Sequence, residues 1–301
     1  MLQRQGNRSN DIMQLPRISI VTPSFNQAKY LPETIESILD QDYPNLEYII
    51  IDGGSTDGSV DIIKKYERHL AYWVSEKDSG QSQAINKGFA GCSGHLLTWL
   101  NSDDLLLPGA LKHVAEAYSK NPCSRWFAGN CFFVDPEGRI ISTTRGEGWC
   151  SILPKLGVLG AYGPSTFFTP DLLKTAGGLD ESFHYLLDTE LWWRFYSVGG
   201  RFVRINHYIW AFRLHELGKM SGHVFPSSSL ASPFHPSWAQ KRKENELLED
   251  RYGLNEKRQK RLLGLTVSRA LKVLTLRYFH SSLEQMKWRG KHWRACYKRC
   301  Q

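Results

Sequence analysis

From Arg17 onward, short apolar runs alternate with stretches whose apolar positions fall at helical spacing. The runs "RISIVT" (17–22), "LEYIIID" (46–52), "AYWVS" (71–75) and "HLLTWL" (95–100) are rich in β-branched or aromatic residues and end in turn formers, as strands buried on both faces do. Between them, "LPETIESILDQ", "SVDIIKKYERH" and "SQAINKGFAG" read as helices. Strand and helix in alternation predict βαβ crossovers and an α/β fold with a mostly parallel central sheet between flanking helices. Past Pro108 the pattern predicts a helix over 109–119 and strands near 125–133 and 139–144 joined by a "DPEG" turn. A short helix "TPDLLKTAGG" follows, with Thr169 at its N-cap and Pro170 at its first position, then a helix "DTELWWRFYSVGG" and a last strand "RFVRI".

Composition changes this picture only near the end of the chain. Residues 221–240 are rich in Ser and Pro, a composition that cannot build a core and reads as a linker. Residues 240–301 hold 17 Lys/Arg against 6 Asp/Glu, so 17 − 6 = +11 of the total +8 lies there and the remainder carries 21 − 24 = −3. The division is an N-terminal tail (1–16), an α/β domain (17–220), the linker, and a basic helical C-terminal extension (241–301). No secretory leader and no run of eighteen apolar residues is present, which predicts a cytoplasmic protein. Six cysteines without a CxxC pair or zinc spacing predict reduced, unligated thiols.

Ligands of open α/β sheets bind at the carboxyl ends of the strands. Here those ends read "TPSFNQ" (22–27), "DGGSTDGS" (52–59), "SEKDSGQS" (75–82) and "NSDD" (101–104), so four polar loops converge on one edge. Asp52 is either an acceptor for the ring N–H groups of a base or a cap of its own glycine-rich turn. Asp78 and Gln81 have capping-box spacing for a helix whose N-terminus also offers free N–H groups to an anion. No GxxxxGKS is present, which excludes a P-loop, and no GxGxxG follows the first strand. Phosphates then call for a divalent cation, Mg²⁺ or Mn²⁺, which takes one or two protein carboxylates and fills its shell with phosphate oxygens. Asp103 and Asp104 can supply these; alternatively an acid or Ser102 caps the helix that begins near Pro108.

Four segments in order, "ISIVTPSFNQAKYLPETIESILDQDYPNLEYIIIDGGSTDGS" (18–59), "SEKDSGQSQAINKG" (75–88), "LTWLNSDDLLLPGAL" (97–111) and "LLDTELWWRF" (186–195), resemble the family 2 inverting glycosyltransferases of GT-A fold. The resemblance implies a nucleotide-sugar donor, most often a UDP-sugar. It places Thr22, Pro23, Ser24 and Asn26 along the nucleotide pocket, Asp52 on the base, and Asp78 and Gly80 at the pocket's far side. It further places Asn101 and Ser102 among the residues that bind the nucleotide sugar, Asn101 where the family contacts the ribose or helps with the metal, Asp103 on the Mn²⁺ or Mg²⁺, and Asp188 as the general base. His215, in "RLHELGKMS", is a second candidate toward the metal or the diphosphate. The family's usual acid is absent at Asn101, which implies weaker metal binding and an Asn101→Asp variant that binds metal more tightly. Asp188 alone could equally cap its helix, and Trp192 and Trp193 could face a sugar or the core.

The reaction so implied moves a sugar to an acceptor hydroxyl with inversion, in cell-surface polysaccharide or glycolipid assembly. Two alternatives stand beside it: transfer to a lipid phosphate, which needs no strong base, and non-catalytic binding of a nucleotide sugar, which Asn101 would suit. The basic extension, with "MKWRGKHWRACYKR" placing two tryptophans among cations, reads either as a peripheral contact with the inner face of the membrane near a lipid-linked acceptor, or as a helical hairpin packed on the catalytic domain. Nucleic acid is an unexpected partner, since no recognised module accompanies the charge.

Overall fold

A computed structural model describes residues 15–145, 152–159, 161, 163, 165–216, 218–219, 236–254, 266 and 277–299. Its first half follows the alternating pattern: β1 (Ile18–Ser24), α1 (Leu31–Leu39), β2 (Leu46–Asp52), α2 (Ser59–Tyr66), β3 (Tyr72–Ser75), α3 (Gln81–Ala90) and β4 (Leu96–Trp99). These strands lie parallel in the order β3-β2-β1-β4, with Ile18 to Ser24 in register with Leu46 to Asp52. Every residue of β1 and β4 is buried, as near-continuous apolar strands between two helical layers must be.

The second half extends the sheet with antiparallel pairs and one long parallel pair, Trp126–Val134 with Phe202–Arg213. A two-residue strand β5 (Leu105–Leu106) precedes α4 (Ala110–Lys120), and β6 (Trp126–Val134) turns through Asp135–Gly138 into β7 (Ile140–Thr144). After α5 (Ile152–Lys155) come β8 (Thr166–Phe168), α6 (Pro170–Ala176), α7 (Leu187–Ser197) and β9 (Phe202–Arg213). The full order is β3-β2-β1-β4-β8-β6-β9-β5, with β7 off this path and paired to β6. Short β5 and β8 lie outside the sequence-based expectation because two or three residues carry no readable period. The strand "RFVRI" runs on to Arg213, since the polar "NHY" it crosses lies where β9 shifts register against β6.

One apolar cluster lies on each side of the sheet. On one, Trp192 is buried and stacks between Trp99 and Trp126, at 5.6 and 5.5 Å between ring centroids. Trp193 packs against Tyr252, so both tryptophans of α7 belong to the core and neither faces a sugar.

The segments beyond the linker pack on this core. The helix α8 (Pro236–Arg251) begins inside the span expected to be linker, and its Leu248 and the following Leu254 are buried in the α7 cluster. The helix α9 (Arg277–Trp288) and a 3-10 turn over Trp293–Arg299 lie on β6 and β7, where Trp288 and Trp293 are 8 and 1 % exposed among Leu107, Phe132 and Ile140. The two tryptophans read as a membrane-surface feature are thus core residues; most of the linker and of 255–276 lies outside the described residues. Among the described residues no helix is long and apolar enough to cross a membrane.

At the amino edge of the sheet, Glu47 ties three strands together. Its buried carboxylate accepts from Ser19 Oγ (2.5 Å), Ser93 N and Oγ (both 2.7 Å) and meets Arg17 at 3.1 Å. Burial alone would raise its pKa, yet these donors hold it below the ordinary value. A depressed native pKa stabilises the fold fully above the unfolded value of about 4.3, and that stabilisation is lost as pH falls through the native pKa. Glu47→Gln should therefore lower stability by about 1–3 kcal/mol at pH 7, a gap that narrows below about pH 4. Urea midpoints at pH 7 and pH 3.5 check this, and an equal gap at both would contradict it.

Candidate functional site

The first two loops at the carboxyl edge are knitted together by side chains from each. Gly53 N donates to Ser24 O (2.8 Å), Asn26 N to Ser55 Oγ (2.8 Å), and Thr56 N to Asn26 Oδ1 (3.0 Å). Asn26 holds φ +52°, a left-handed conformation that Asn tolerates better than most residues. Thr22 is buried under the Tyr48 hydroxyl, and Ser24 Oγ is buried with no hydrogen-bond partner among the described residues.

Asp52 is fully buried and both its oxygens are occupied: Oδ2 accepts from Gly54 N (3.1 Å), Ser55 N (2.8 Å) and Ser75 Oγ (2.7 Å), and Oδ1 from Ser55 Oγ (2.6 Å). It organises the loop, which is the capping alternative in a stronger form. Asp78 is differently placed. Its Oδ1 accepts from Gly80 N (2.9 Å), while Oδ2 lies 2.7 Å from where a Cβ on Gly53 would stand, so only glycine leaves room for this half-buried carboxylate over the loop. The capping box expected of Asp78 and Gln81 does not form. Gly80 is the N-cap of α3 without a side-chain bond, and Gln81 points across to the fourth loop.

That fourth loop, Asn101–Asp104, caps nothing: α4 starts after Gly109, so neither acid nor Ser102 serves it. Asp104 is fully buried; burial and the charge of Asp103 push its pKa well up, against the pull of the Arg213 amide and the Asn101 side chain. Asn101 Nδ2 donates to Asp104 Oδ2 (2.9 Å) and Arg213 N to Oδ1 (3.0 Å). Asn101 Oδ1 accepts from Gln81 Nε2 (2.6 Å), and Gln81 Oε1 accepts from Lys219 Nζ (2.6 Å). On the other side the guanidinium of Arg213 donates to Asp103 O (2.9 Å), Pro136 O (2.8 Å) and Glu33 Oε2 (2.5 Å), and Glu33 Oε1 accepts from Trp293 Nε1 (3.0 Å). The backbone of the loop is pinned from below by Thr34 Oγ1, which reaches Ser102 O and Asp104 O.

Asp103 is left pointing outward. Its Oδ2 lies 3.0 Å from His215 Nε2, and the His215 ring is buried, rests on Tyr30 at 4.4 Å and has no partner for Nδ1 among the described residues. One carboxylate oxygen and one imidazole nitrogen fit a divalent cation that completes its shell with phosphate and water, and the imidazole favours Mn²⁺ over Mg²⁺. Among the described residues no group of three or more His, Cys, Asp or Glu forms a closed metal site.

Asp188 stands in the first turn of α7, not at its N-cap, which is Leu186. Its Oδ1 accepts from Thr189 N (2.6 Å), and Oδ2 lies 2.6 Å from where a Cβ on Gly163 would stand. Burial raises its pKa, with Thr189 and the charge of Lys241 pulling back. The preceding turn is docked on the edge: Ser82 Oγ donates to Phe183 O (2.9 Å), and Lys219 Nζ to His184 O (3.2 Å). The structure thus interlocks the expected loops at one edge. It adds Lys219, Arg213 and Glu33, to which the sequence assigned no role, and it turns Gln81 from the expected helix cap to a bond with Asn101.

The family model described as Glycosyl transferase family 2 matches residues 19–150. An uncharacterized glycosyltransferase of Mycobacterium tuberculosis is 34 % identical over 181 residues, covering 58 % of this chain and 67 % of that protein. The putative teichuronic acid biosynthesis glycosyltransferase TuaG of Bacillus subtilis is 36 % identical over 119 residues, 38 % of this chain and 46 % of TuaG. The chain spans 46 to 59 % of the length of the first curated relatives it matches. Among solved structures, residues 1–349 of S. aureus TarS in complex with UDP-GlcNAc superpose with a TM-score of 0.58 at 18 % identity, over 83 % of this chain and 71 % of that one. The fold is GT-A.

Asn101 bonds to Gln81 and Asp104 at once, a structural role that stands beside the expected effect of an acid there on metal affinity. Asn101→Asp removes the donor to Asp104 and sets two carboxylates face to face in a buried position. It should destabilise the protein by about 1–3 kcal/mol, read from urea unfolding at pH 8; unchanged or increased stability would contradict the assignment.

Proposed function

The chain belongs to glycosyl transferase family 2, and on that premise we propose that it transfers a sugar from a nucleotide-sugar donor, of the UDP class, to an acceptor hydroxyl with inversion. The observation that carries this reading is the contact of the partly exposed Asp103 carboxylate with the buried His215 ring at the edge where the interlocked loops meet. The UDP-GlcNAc bound by TarS supports the donor class, and the role in TuaG's name supports a place in cell-surface polysaccharide or glycolipid assembly.

In this reading Thr22, Pro23, Ser24, Asn26, Asp78 and Gly80 line the nucleoside pocket, with Asp52 holding its loop in shape. Asn101 and Ser102 lie toward the ribose and diphosphate, and Lys219 presents an ammonium to the same region. Asp103 and His215 would hold Mn²⁺, which supplies Lewis-acid charge to a diphosphate leaving group when bound. Asp188 takes the acceptor proton as the acceptor oxygen bonds to the anomeric carbon and the bond to the diphosphate breaks on the opposite side. A carboxylate whose pKa is raised by burial is the better base for that transfer. Gly163 keeps the space beside it clear. For place in the cell we propose the cytoplasm, with peripheral contact at the inner membrane face through cations near exposed Leu283 and Met286.

A panel of nucleotide sugars with Mn²⁺ and a hydroxyl acceptor, read by nucleoside diphosphate release, tests the reading. Asp188→Asn should cut turnover at least about a hundredfold, and Gly163→Ala should lower it with it, while donor binding stays intact. Full activity of Asp188→Asn with a lipid phosphate would favour an acceptor that is already ionised. Binding of a donor without release under any condition would favour a non-catalytic binding protein.

A further inference from the structure

The turn that delivers Asp188 is held from outside the α/β domain. Three consecutive backbone N–H groups in the bend that leads into α7, the last of them at its N-cap Leu186, are met by one side chain. Glu244, on α8 and 2 % exposed, accepts from His184 N at Oε1 (2.9 Å) and from Tyr185 N and Leu186 N at Oε2 (2.8 and 3.0 Å). Gln240, one turn earlier, donates to Oε1 (3.1 Å). A buried carboxylate is costly without such donors, and charge-assisted bonds to backbone N–H groups at the positive end of a helix dipole are among the stronger ones. Lys241, on the same helix, faces both Asp188 and Glu244 electrostatically.

The far end of α8 is fastened to α7 as well. The buried Glu190 carboxylate, already bonded to Arg194, accepts from Arg251 (2.8 Å) and from the Tyr252 hydroxyl (2.9 Å). With α8 fixed at both ends, Glu244 sets the path of residues 184–186 and hence the entry of α7. Asp188 follows two residues later.

We propose that Glu244 is a positioning residue for Asp188, so that the segment beyond the Ser/Pro-rich stretch completes the active site rather than hanging from it. The catalytic part of this inference rests on the glycosyltransferase reading; the mechanical part does not. In the full chain, Glu244→Gln keeps the size but turns one acceptor into a donor facing N–H groups. Hydrogen exchange of a peptide covering 184–190 should quicken at least tenfold, with peptides from β1 to β4 unchanged. With the donor that gives nucleoside diphosphate release, kcat should fall at least tenfold while the donor KM stays within twofold. Glu244→Asp, which keeps the charge on a shorter arm, should retain more protection and more turnover than the Gln variant. Unchanged exchange at 184–190, a kcat equal to wild type, or a Gln variant as good as the Asp variant would each overturn the proposal. If no donor is turned over by the wild type, the glycosyltransferase reading fails, and the exchange results still decide whether Glu244 holds the turn.

Discussion

The site depends on keeping one buried carboxylate, Asp104, out of water. A buried carboxyl group in that position needs hydrogen-bond partners: the Asn101 amide and the Arg213 backbone donate to it, and beyond them Gln81, Lys219, Glu33 and Trp293 extend the network from distant parts of the chain. The result is a continuous hydrogen-bonded line across the carboxyl edge of the sheet. Its consequence is positional, since with Asp104 and the Asp103 carbonyl fixed, the Asp103 side chain has one direction left, toward His215.

A second consequence concerns the C-terminal segments. Trp293 ends the line that begins at Lys219, and Glu244 caps the turn before Asp188. The 3-10 turn after α9 therefore braces the Asp103 side of the edge, and α8 braces the side of the candidate base Asp188. Both contacts are partly buried, both use a polar group matched to the partner, and both join residues more than fifty positions apart. Net charge, the feature that made the extension conspicuous, has no part in either.

Much of the fold was legible because parallel strands buried on both faces leave continuous apolar runs, and β2 matches its sequence span at both ends. The two-residue β5 and three-residue β8 were not, since pairing with β9 and β6 makes them strands and no local signal does. Loop ends were legible as a set because polar residues interrupt every strand at the same edge. Roles within them were harder. Asp52 and Asp78 look equivalent in sequence, and only the space over Gly53 separates a loop organiser from an open carboxylate. Asn101 looked like a missing acid, whereas its two amide atoms bond to two different partners that no acid could serve together. Glu244 and Arg213 were invisible because long-range partners leave no periodicity.

The central claim is that this edge gathers a nucleoside diphosphate and a divalent cation at Asp103 and His215. Crystals grown with UDP and Mn²⁺, with anomalous data collected at the manganese edge, test it most directly. The account predicts a manganese peak bound by Asp103 and His215, with the uracil beside Asp78 and the diphosphate between. A manganese peak away from these two residues, or UDP ordered anywhere but this edge, would contradict it.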